Sequence, residues 1–349
     1  MDYSSNFHAN VTILLLLLLG VLYTFTWSPP NSNPFFPVLN SHYNRPHIEY
    51  TTIDFPIDEL EVALKKASMP NKTVIIAVVN RAYVEESVST ETTMLDLFLE
   101  SFWLGEDTRP LLDHLLLVAV DQTAYDRCRF KRLHCYRLVT EGVDFSKENT
   151  YMSDDFIKMM WRRTLLLSDV LKHGYNFIFT DTDIMWLRNP FPLLSKNESE
   201  NLQISVDKYF GNPRYEILIN TGFYYIRSNN KTISLFNKWY AMKDNSTATG
   251  KKEQDVLSDL RSERVFSQLG LGVRYLDTKY FSGFCQDSQD IWAVATVHAN
   301  CCRHIRAKIT DLTAVLRDWK RFKVSADHKR MNFRWTGHFG CWNSWNSSA

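Results

Sequence analysis

Three short apolar runs, separated by two segments with helical periodicity, limit the folds that this chain can adopt. The apolar runs lie at 72–80, 114–125 and 175–186, and the helical segments between them lie at 93–105 and 154–174. Apolar runs of this length are typical of strands buried on both faces of a sheet. The order strand, helix, strand, helix, strand is that of an open, mainly parallel sheet flanked by helices. The sequence therefore predicts an α/β fold.

Each of the three predicted strands leads into a polar residue, namely Asn80, Asp121 and Asp181. Ligands of open α/β sheets bind beyond the carboxyl ends of the strands, so the first half of the chain has the pattern of a nucleotide-binding unit. The sequence contains neither GxGxxG nor GxxxxGK[ST], which argues against a dinucleotide fold and against a P-loop.

Asp181 and Asp183 are separated by one residue within the third apolar run. If the strand persists through both, their side chains point to the same face. Two carboxylates with open positions suit Mg²⁺ or Mn²⁺ that is bound together with substrate phosphates. Such a pair is more often two surface aspartates when the pattern is taken alone. Its place after a very apolar strand favours a metal site.

A third metal ligand is expected from the far half of the chain, where His298 lies in the stretch TVHAN. A single histidine is more often structural than a ligand. A neutral imidazole in the ligand set would favour Mn²⁺ over Mg²⁺.

The composition is that of a globular protein, with 45% hydrophobic and 23% charged residues. The formal net charge of +1 gives no electrostatic signature for binding nucleic acid. An aromatic share of 14% suits either a large core or a cleft that stacks on sugars or bases.

The N-terminal region predicts a membrane anchor. Residues 1–10 would be a short cytosolic tail, 11–27 are uncharged and apolar, and 28–57 are rich in Pro and Asn, as a stalk would be. A cleaved signal peptide is the alternative, but a basic n-region and a clear cleavage site are missing. We expect a single-pass type II protein of the Golgi membrane, with 58–349 as one lumenal catalytic domain and Golgi enzyme complexes among its candidate partners.

Glycosylation sequons and cysteines favour a lumenal location for this domain. N-x-S/T triplets occur downstream of the apolar segment, beginning at Asn71, Asn197, Asn230, Asn245 and Asn346. All six cysteines also lie downstream, and six allow 15 full pairings, with Cys128 and Cys135 close enough to pair locally. A zinc site is disfavoured because no C-x2-C pattern occurs.

Five stretches in this order resemble the plant nucleotide-diphospho-sugar transferase domain of glycosyltransferase family 77. They are NFIFTDTDIMWLRNPF, LINTGFYYIRSN, KKEQDVLSDL, LDTKYFSGFCQ and VHANCC, and the resemblance runs from about Lys72 to Phe322. It implies a GT-A fold, a nucleotide-sugar donor, a divalent cation and retention of anomeric configuration.

The resemblance also implies roles for single residues. Asp181 and Asp183 would bind the metal and the diphosphate, with His298 as the late metal ligand. Asn80 and Asp121 would contact the base and ribose, and Lys158 or Arg162 would contact donor phosphate or sugar. Asn220, Thr221 and Gly222 would line the sugar pocket. Gln254 and Asp255 would lie near the reacting carbon or the acceptor, and Lys308 would neutralise the leaving diphosphate. For Lys158, Arg162, Gln254, Asp255 and Lys308, a solvated surface position is the alternative.

One departure from the family pattern bears on Lys308. Related enzymes often have a glycine shortly after the late histidine, where the backbone approaches the diphosphate. Here HANCCRHIRAK has Arg303 and His304 instead. Arg303 would supply positive charge, but the loop differs from the family pattern. This difference affects the assignment of Lys308 more than that of His298.

The expected function is transfer of xylose, arabinofuranose or galactose from a UDP-sugar to a cell-wall polysaccharide or glycoprotein. Retention would arise by a front-face reaction or through a carboxylate nucleophile, for which Asp255 is the candidate. A catalytically inactive carbohydrate-binding or scaffold protein of the same fold is the alternative function. A glycoside hydrolase fits less well, because it needs two carboxylates that flank a cleft rather than an adjacent pair.

Overall fold

The computed structural model describes residues 58–85, 91–148, 152–211, 217–245, 249–325 and 333–345. The predicted tail, anchor and stalk at 1–57 lie outside the described residues. All described residues belong to one compact unit, Pro56–Ala349. Among them, no helix is both long enough and apolar enough to span a bilayer.

Seven strands form the main sheet, and most neighbouring strands in it run parallel. The strands are β1 (Thr73–Val79), β2 (Leu115–Ala119), β3 (His134–Arg137), β4 (Asn176–Thr180), β6 (Glu200–Val206), β7 (Ile219–Ile226) and β8 (Gly272–Tyr275). Their order is β3-β2-β1-β4-β7-β6-β8. Only β7 runs against its neighbours β4 and β6 in this sheet. The predicted α/β class with a mainly parallel sheet is confirmed.

A second, three-stranded sheet places the late histidine. It consists of β5 (Ile184–Trp186), β9 (Phe281–Gly283) and β10 (Thr296–His298), in the order β5-β10-β9. The antiparallel pairing of β10 with β5 sets His298 opposite Ile184, one residue after Asp183. A residue from the far half of the chain is thereby fixed beside the two aspartates.

The strand predicted through Asp181 and Asp183 does not persist. β4 ends at Thr180, and residues 181–183 form a turn into β5, which belongs to the other sheet. The two aspartates therefore lie close together through a turn rather than through strand alternation. Residues 217–229 contain the single strand β7.

Ten described helices flank the sheets. They are α1 (Glu59–Ala67), α2 (Arg81–Val84), α3 (Met94–Leu104), α4 (Gln122–Phe130), α5 (Asp154–Lys172), α6 (Asn230–Ala241), α7 (Glu253–Ser262), α8 (Val265–Gln268), α9 (Ile305–Val324) and α10 (Phe339–Asn343). Short 3₁₀ turns occupy Arg109–His114, Phe191–Leu193 and Met242–Asp244.

The predicted ends of α3 and α5 follow from local chemistry. Thr93 and Asp96 form a reciprocal capping box at the start of α3, and Ser153 caps α5 by accepting from Phe156 N. Gly174 follows α5 with a φ of +78°, a conformation that glycine adopts without steric cost.

The main sheet is buried on both faces, as its apolar strands predict. On β1, Ile75 and Ala77 pack into the core beneath α3 and α9, whereas Val74 and Ile76 pack into the core beneath α1, α5, α6 and α7. Both layers of helices therefore cover the strands, and the carboxyl end of the sheet is left as the edge where polar side chains collect.

All six cysteines form disulfides, as expected for an oxidising compartment. Cys128 and Cys135, which are close enough in sequence to pair locally, form one of the three bonds. The other two bonds, Cys285–Cys301 and Cys302–Cys341, tie the segment after β10 to the end of β9 and to α10.

Candidate active site

Asp181, Asp183 and His298 form a cluster with the geometry of a metal site. One ligand atom from each lies within 4.8 Å of the other two. His298 Nε2 is 3.3 Å from Asp183 Oδ1 and 4.0 Å from Asp181 Oδ2. The backbone fixes the cluster, because Asp181 N donates to Gly222 O and Ala299 N donates to Asp183 O.

Lys308, from the first turn of α9, neutralises one carboxylate of this cluster. Its Nζ is 2.7 Å from Asp183 Oδ2. Burial alone would raise the pKa of Asp183, but Lys308 and His298 outweigh it and hold that pKa well below its usual range. Burial, opposed by Arg163, raises the pKa of Asp181 to about 6. The pKa of Asp183 is therefore lower than that of Asp181, and Asp183 stays ionised over a wider pH range.

The residues present fit a divalent cation. Asp183 is only 4% exposed, and its Oδ1 lies 3.3 Å from His298 Nε2 without forming a hydrogen bond of good geometry to any described residue. A buried carboxylate oxygen without a donor is costly unless it binds a cation. Two carboxylates and one imidazole suit Mn²⁺, with Mg²⁺ as the harder alternative.

Arg163 is the site residue that sequence reasoning missed. It lies on α5 and is 7% exposed. Its Nη1 is 3.0 Å from Asp181 Oδ1 and its Nη2 is 2.6 Å from Glu253 Oε1, so it joins Asp181 to α7. Thr221 Oγ1 donates to the same Glu253 oxygen. The helical periodicity of the sequence could have identified it, because Arg163 falls on the apolar face of α5, four residues before the buried Leu167.

The two cations that were predicted from this helix do not line the cleft. Lys158 is exposed and pairs with Asp155 at 3.2 Å. Arg162 donates through Nε to Thr140 Oγ1 and through Nη2 to Val139 O. Both lie on helix faces other than the one that carries Arg163, so each contacts residues outside the cleft.

Two predicted carboxylates are also absent from the cleft wall. Asp121 caps α4 by accepting from Ala124 N, and its second oxygen accepts from Arg81 N at 2.6 Å. Asp255 is half-buried in the first turn of α7, where burial raises its pKa. The structure gives Asp121 a helix-capping position and places Asp255 behind the residues that face the cleft.

The other predicted residues meet in one cleft of about 300 Å³. It is lined by the metal cluster and by Asn80, Asn220, Thr221, Gly222, Gln254 and Lys308. Asn80 donates to Phe145 O and Lys147 O, which leaves its buried Oδ1 without a described donor. Gln254 Oε1 accepts from Thr221 N at 3.0 Å, which fixes the start of α7 against β7.

Asp207 is a second cleft residue that was not predicted. Its Oδ1 accepts from Asn220 Nδ2 at 2.8 Å and from Asn300 Nδ2 at 2.9 Å. It follows β6, so the rule that marked polar residues at strand ends would have found it. β6 itself was not recognised in the sequence.

Comparison with known proteins identifies relatives of this chain. Residues 110–312 match the protein family described as nucleotide-diphospho-sugar transferase. The Arabidopsis thaliana protein At1g28695 is 55% identical over 351 residues, covering 100% of this chain and 98% of that protein.

Two more distant relatives from the same plant are named for their activities. The beta-arabinofuranosyltransferase RAY1 is 25% identical, over 71% of this chain and 45% of its own length. The UDP-D-xylose:L-fucose alpha-1,3-D-xylosyltransferase 3 is 24% identical, over 57% of this chain and 47% of its own length.

Replacing Arg163 tests the buried ion-pair network. Arg163→Gln leaves the buried Glu253 without a cation, so we expect the free energy of unfolding to fall by about 3 kcal/mol. Arg162→Gln, one residue away on the exposed side, should cost less than about 1 kcal/mol. Urea unfolding of both variants measures the difference, and equal losses would contradict the assigned network.

Gly222 tests the packing around the metal cluster. A methyl group on this residue would lie 2.5 Å from His298 Cε1 and 2.9 Å from Asp181 Oδ2. Because one of these ligands must move, Gly222→Ala should weaken Mn²⁺ binding at least about tenfold. Isothermal titration with Mn²⁺ gives the affinity. Wild-type affinity in a folded variant would show that the cluster does not depend on this close approach.

Proposed function

The chain belongs to the nucleotide-diphospho-sugar transferase family, which matches more than half of its length, and we propose that it is a metal-dependent, retaining transferase with a UDP-sugar donor. The family makes it a glycosyltransferase with a nucleotide-sugar donor, a glycan acceptor and the GT-A fold. The observation that carries the metal-dependent part of the proposal is the cluster of Asp181, Asp183 and His298, with its unpartnered buried oxygen.

The three residues of this cluster would hold the metal ion. A bound divalent ion would act there as a Lewis acid and as a template for the departing nucleoside diphosphate. Lys308 neutralises Asp183 while no ion is bound, and it lies on the first turn of α9, where the helix dipole favours anions. Its charge is thus available to the diphosphate once a cation occupies the carboxylates.

Polar groups from several strand ends would orient the donor. Asn80 Oδ1, at the end of β1, is an unpartnered acceptor for a donor N–H group, such as that of a uracil base. Asn220, Thr221 and Gly222 line the cleft beside the metal cluster, where the transferred sugar would lie. Because Gly222 has no Cβ, its backbone lies close to His298 and Asp181, which places the cleft wall directly beside the metal cluster.

The positions of Asp255 and Glu253 favour a front-face reaction over a covalent intermediate formed on either of them. Asp255, the candidate nucleophile, does not line the cleft. Glu253 lines it but is 1% exposed and paired with Arg163, so attack would require breaking a buried ion pair. Gln254 is neutral and cannot form a stable glycosyl ester. In the front-face route, the leaving phosphate accepts the acceptor's proton, and no protein nucleophile is needed.

The donor and acceptor follow from the relatives. We propose a pentose or hexose donor among UDP-arabinofuranose, UDP-xylose and UDP-galactose, and a cell-wall polysaccharide or glycoprotein acceptor. The named activities of RAY1 and of the xylosyltransferase support the two pentoses. The alternative, an inactive carbohydrate-binding scaffold, does not explain why two carboxylates and an imidazole converge in the cleft.

Donor hydrolysis tests this function. We expect the full chain, purified in a mild detergent, to release UDP from one of the three donors with Mn²⁺ and not with EDTA. Asp183→Asn should lower the rate more than about 100-fold, because a metal-bound leaving group is worth several kcal/mol. Asp155→Asn, an exposed aspartate on α5, is the matched control and should leave the rate unchanged. A folded chain that binds none of the donors with Mn²⁺ would favour the scaffold function instead.

We further propose that the catalytic domain lies in the Golgi lumen behind a single-pass anchor at 11–27. The three disulfides suit an oxidising compartment, and the four sequon asparagines among the described residues are exposed, namely Asn71, Asn197, Asn230 and Asn245.

Deglycosylation tests the location. Peptide N-glycosidase should increase the mobility of the chain expressed in plant cells, and Asn197→Gln should remove one glycan step. Asn201→Gln, a buried asparagine outside any sequon, should not. A chain that is never glycosylated would contradict a lumenal domain.

A further inference from the structure

We propose that Arg303 binds the diphosphate of the donor and that the C-terminal segment holds it in place. The inference rests on the proposed function, since it assigns an additional residue to the same donor site. Here the C-terminal segment means residues 339–345.

Arg303 lies on a segment that begins at the metal cluster. Ala299 N donates to Asp183 O at 3.0 Å, and the segment then runs along the cleft to α9, where Ile305 N donates to Glu148 Oε1. Arg303 lines the same cleft as Lys308 and the two metal-binding aspartates. Its guanidinium is therefore placed on the wall that leads from the metal to the start of α9.

The charge of Arg303 has no counter-ion among the described residues. Arg163 and Lys308, which line the same cleft, both form ion pairs. Arg163 pairs with Asp181 and Glu253, and Lys308 pairs with Asp183. No carboxylate of the described residues forms an ion pair with Arg303. Because a guanidinium matches phosphate oxygens with two parallel N–H groups, an anionic ligand in this cleft has a suitable partner there.

The C-terminal segment positions this guanidinium. The Arg303 guanidinium carbon lies 4.0 Å from the centre of the Trp345 ring, a cation–π contact. Trp345 Nε1 donates to Cys301 O at 2.7 Å, and Arg303 N donates to Ser344 Oγ at 3.1 Å. The Cys302–Cys341 disulfide joins the two segments between these hydrogen bonds.

Holding the side chain in this way reduces the entropy that Arg303 would lose on binding an anion. A free arginine at a cleft mouth keeps most of its rotamers and must be ordered by its ligand. The stacked indole already restricts the guanidinium plane, and the disulfide fixes the main chain on which it sits. The C-terminal segment is thereby part of the donor site, although it lies far beyond Arg303 along the chain.

The diphosphate is the anion that best fits this position. α9 begins two residues after Arg303, so Lys308 and Arg303 line the same cleft near its start, where the Glu148 carboxylate already accepts from Ile305 N. A neutral sugar acceptor carries no charge for them to meet. An acidic acceptor, such as a uronic acid chain, would be a different ligand for Arg303, and the experiment separates the two.

Affinities for UDP and for uridine, measured on the Mn²⁺-loaded full chain, test the inference. Arg303→Gln should weaken UDP binding about tenfold and leave uridine binding unchanged, because uridine lacks the phosphates. Arg306→Gln is the matched control, since Arg306 is exposed on α9 and does not line the cleft. It should bind both ligands as the wild type does.

Trp345 variants test the positioning. Trp345→Ala should weaken UDP binding by severalfold with Arg303 still present, and Trp345→Phe should recover most of the loss because it restores a ring for the guanidinium. The unfolding midpoint of each variant checks that the domain is intact.

The outcomes distinguish a failure of the Arg303 inference from a failure of the proposed transferase function. If the wild type binds UDP and Arg303→Gln binds it equally well, the inference is overturned and the proposed function stands. Equal losses for UDP and uridine would also overturn it, since they would indicate distortion of the cleft rather than a lost phosphate contact. A wild type that does not bind UDP would overturn both.

Discussion

The site depends on burying two neighbouring carboxylates at a strand end, which is tolerated only because cations from two helices reach them. Arg163 from α5 pairs with Asp181, and Lys308 from α9 pairs with Asp183. The helices come from opposite faces of the sheet, so both layers must be packed before the carboxylates are neutralised. Neutralising the two aspartates therefore requires contacts from both helix layers of the fold.

Charge balance explains why the metal and the donor should bind together. The buried group of Asp181, Asp183 and Glu253 faces two paired cations, Arg163 and Lys308, and is left with one net negative charge when His298 is neutral. A divalent ion alone would reverse this to a buried net positive charge. A nucleotide-sugar diphosphate would bring the group back to its starting charge, whereas the same diphosphate without the ion would make a buried negative group more negative, so the nucleotide would bind better with the metal than without it.

The sequence predicted those features that depend on local pattern. The apolar runs identified β1, β2 and β4, and the polar residue after each run pointed to the edge where the cleft lies. Asp183 and His298 could be paired from ligand chemistry, and the pairing of β10 with β5 is what brings them within 3.3 Å. Spacing allowed the local pair Cys128–Cys135 without selecting it, and the pairing of Cys302 with Cys341 depends on where α10 packs.

The features that were missed involve polar residues that are buried. β6 reads as an alternating, half-exposed segment because Asn201, Gln203 and Ser205 punctuate it, yet all three are buried. Gln203 is tolerated because it exchanges two hydrogen bonds with the backbone of Ser195.

Arg163 was missed for a related reason, since a charged residue on an apolar helix face is anomalous until its partner is known. Its partner Glu253 lies on a different helix, far along the chain, and is equally anomalous alone. Each buried charge makes physical sense only with the other. A search for charges that fall on the apolar face of a predicted helix would have singled out Arg163 and Glu253, but it would not have shown that they are partners. The same rule would not have selected Lys158 or Arg162, since both fall outside that face.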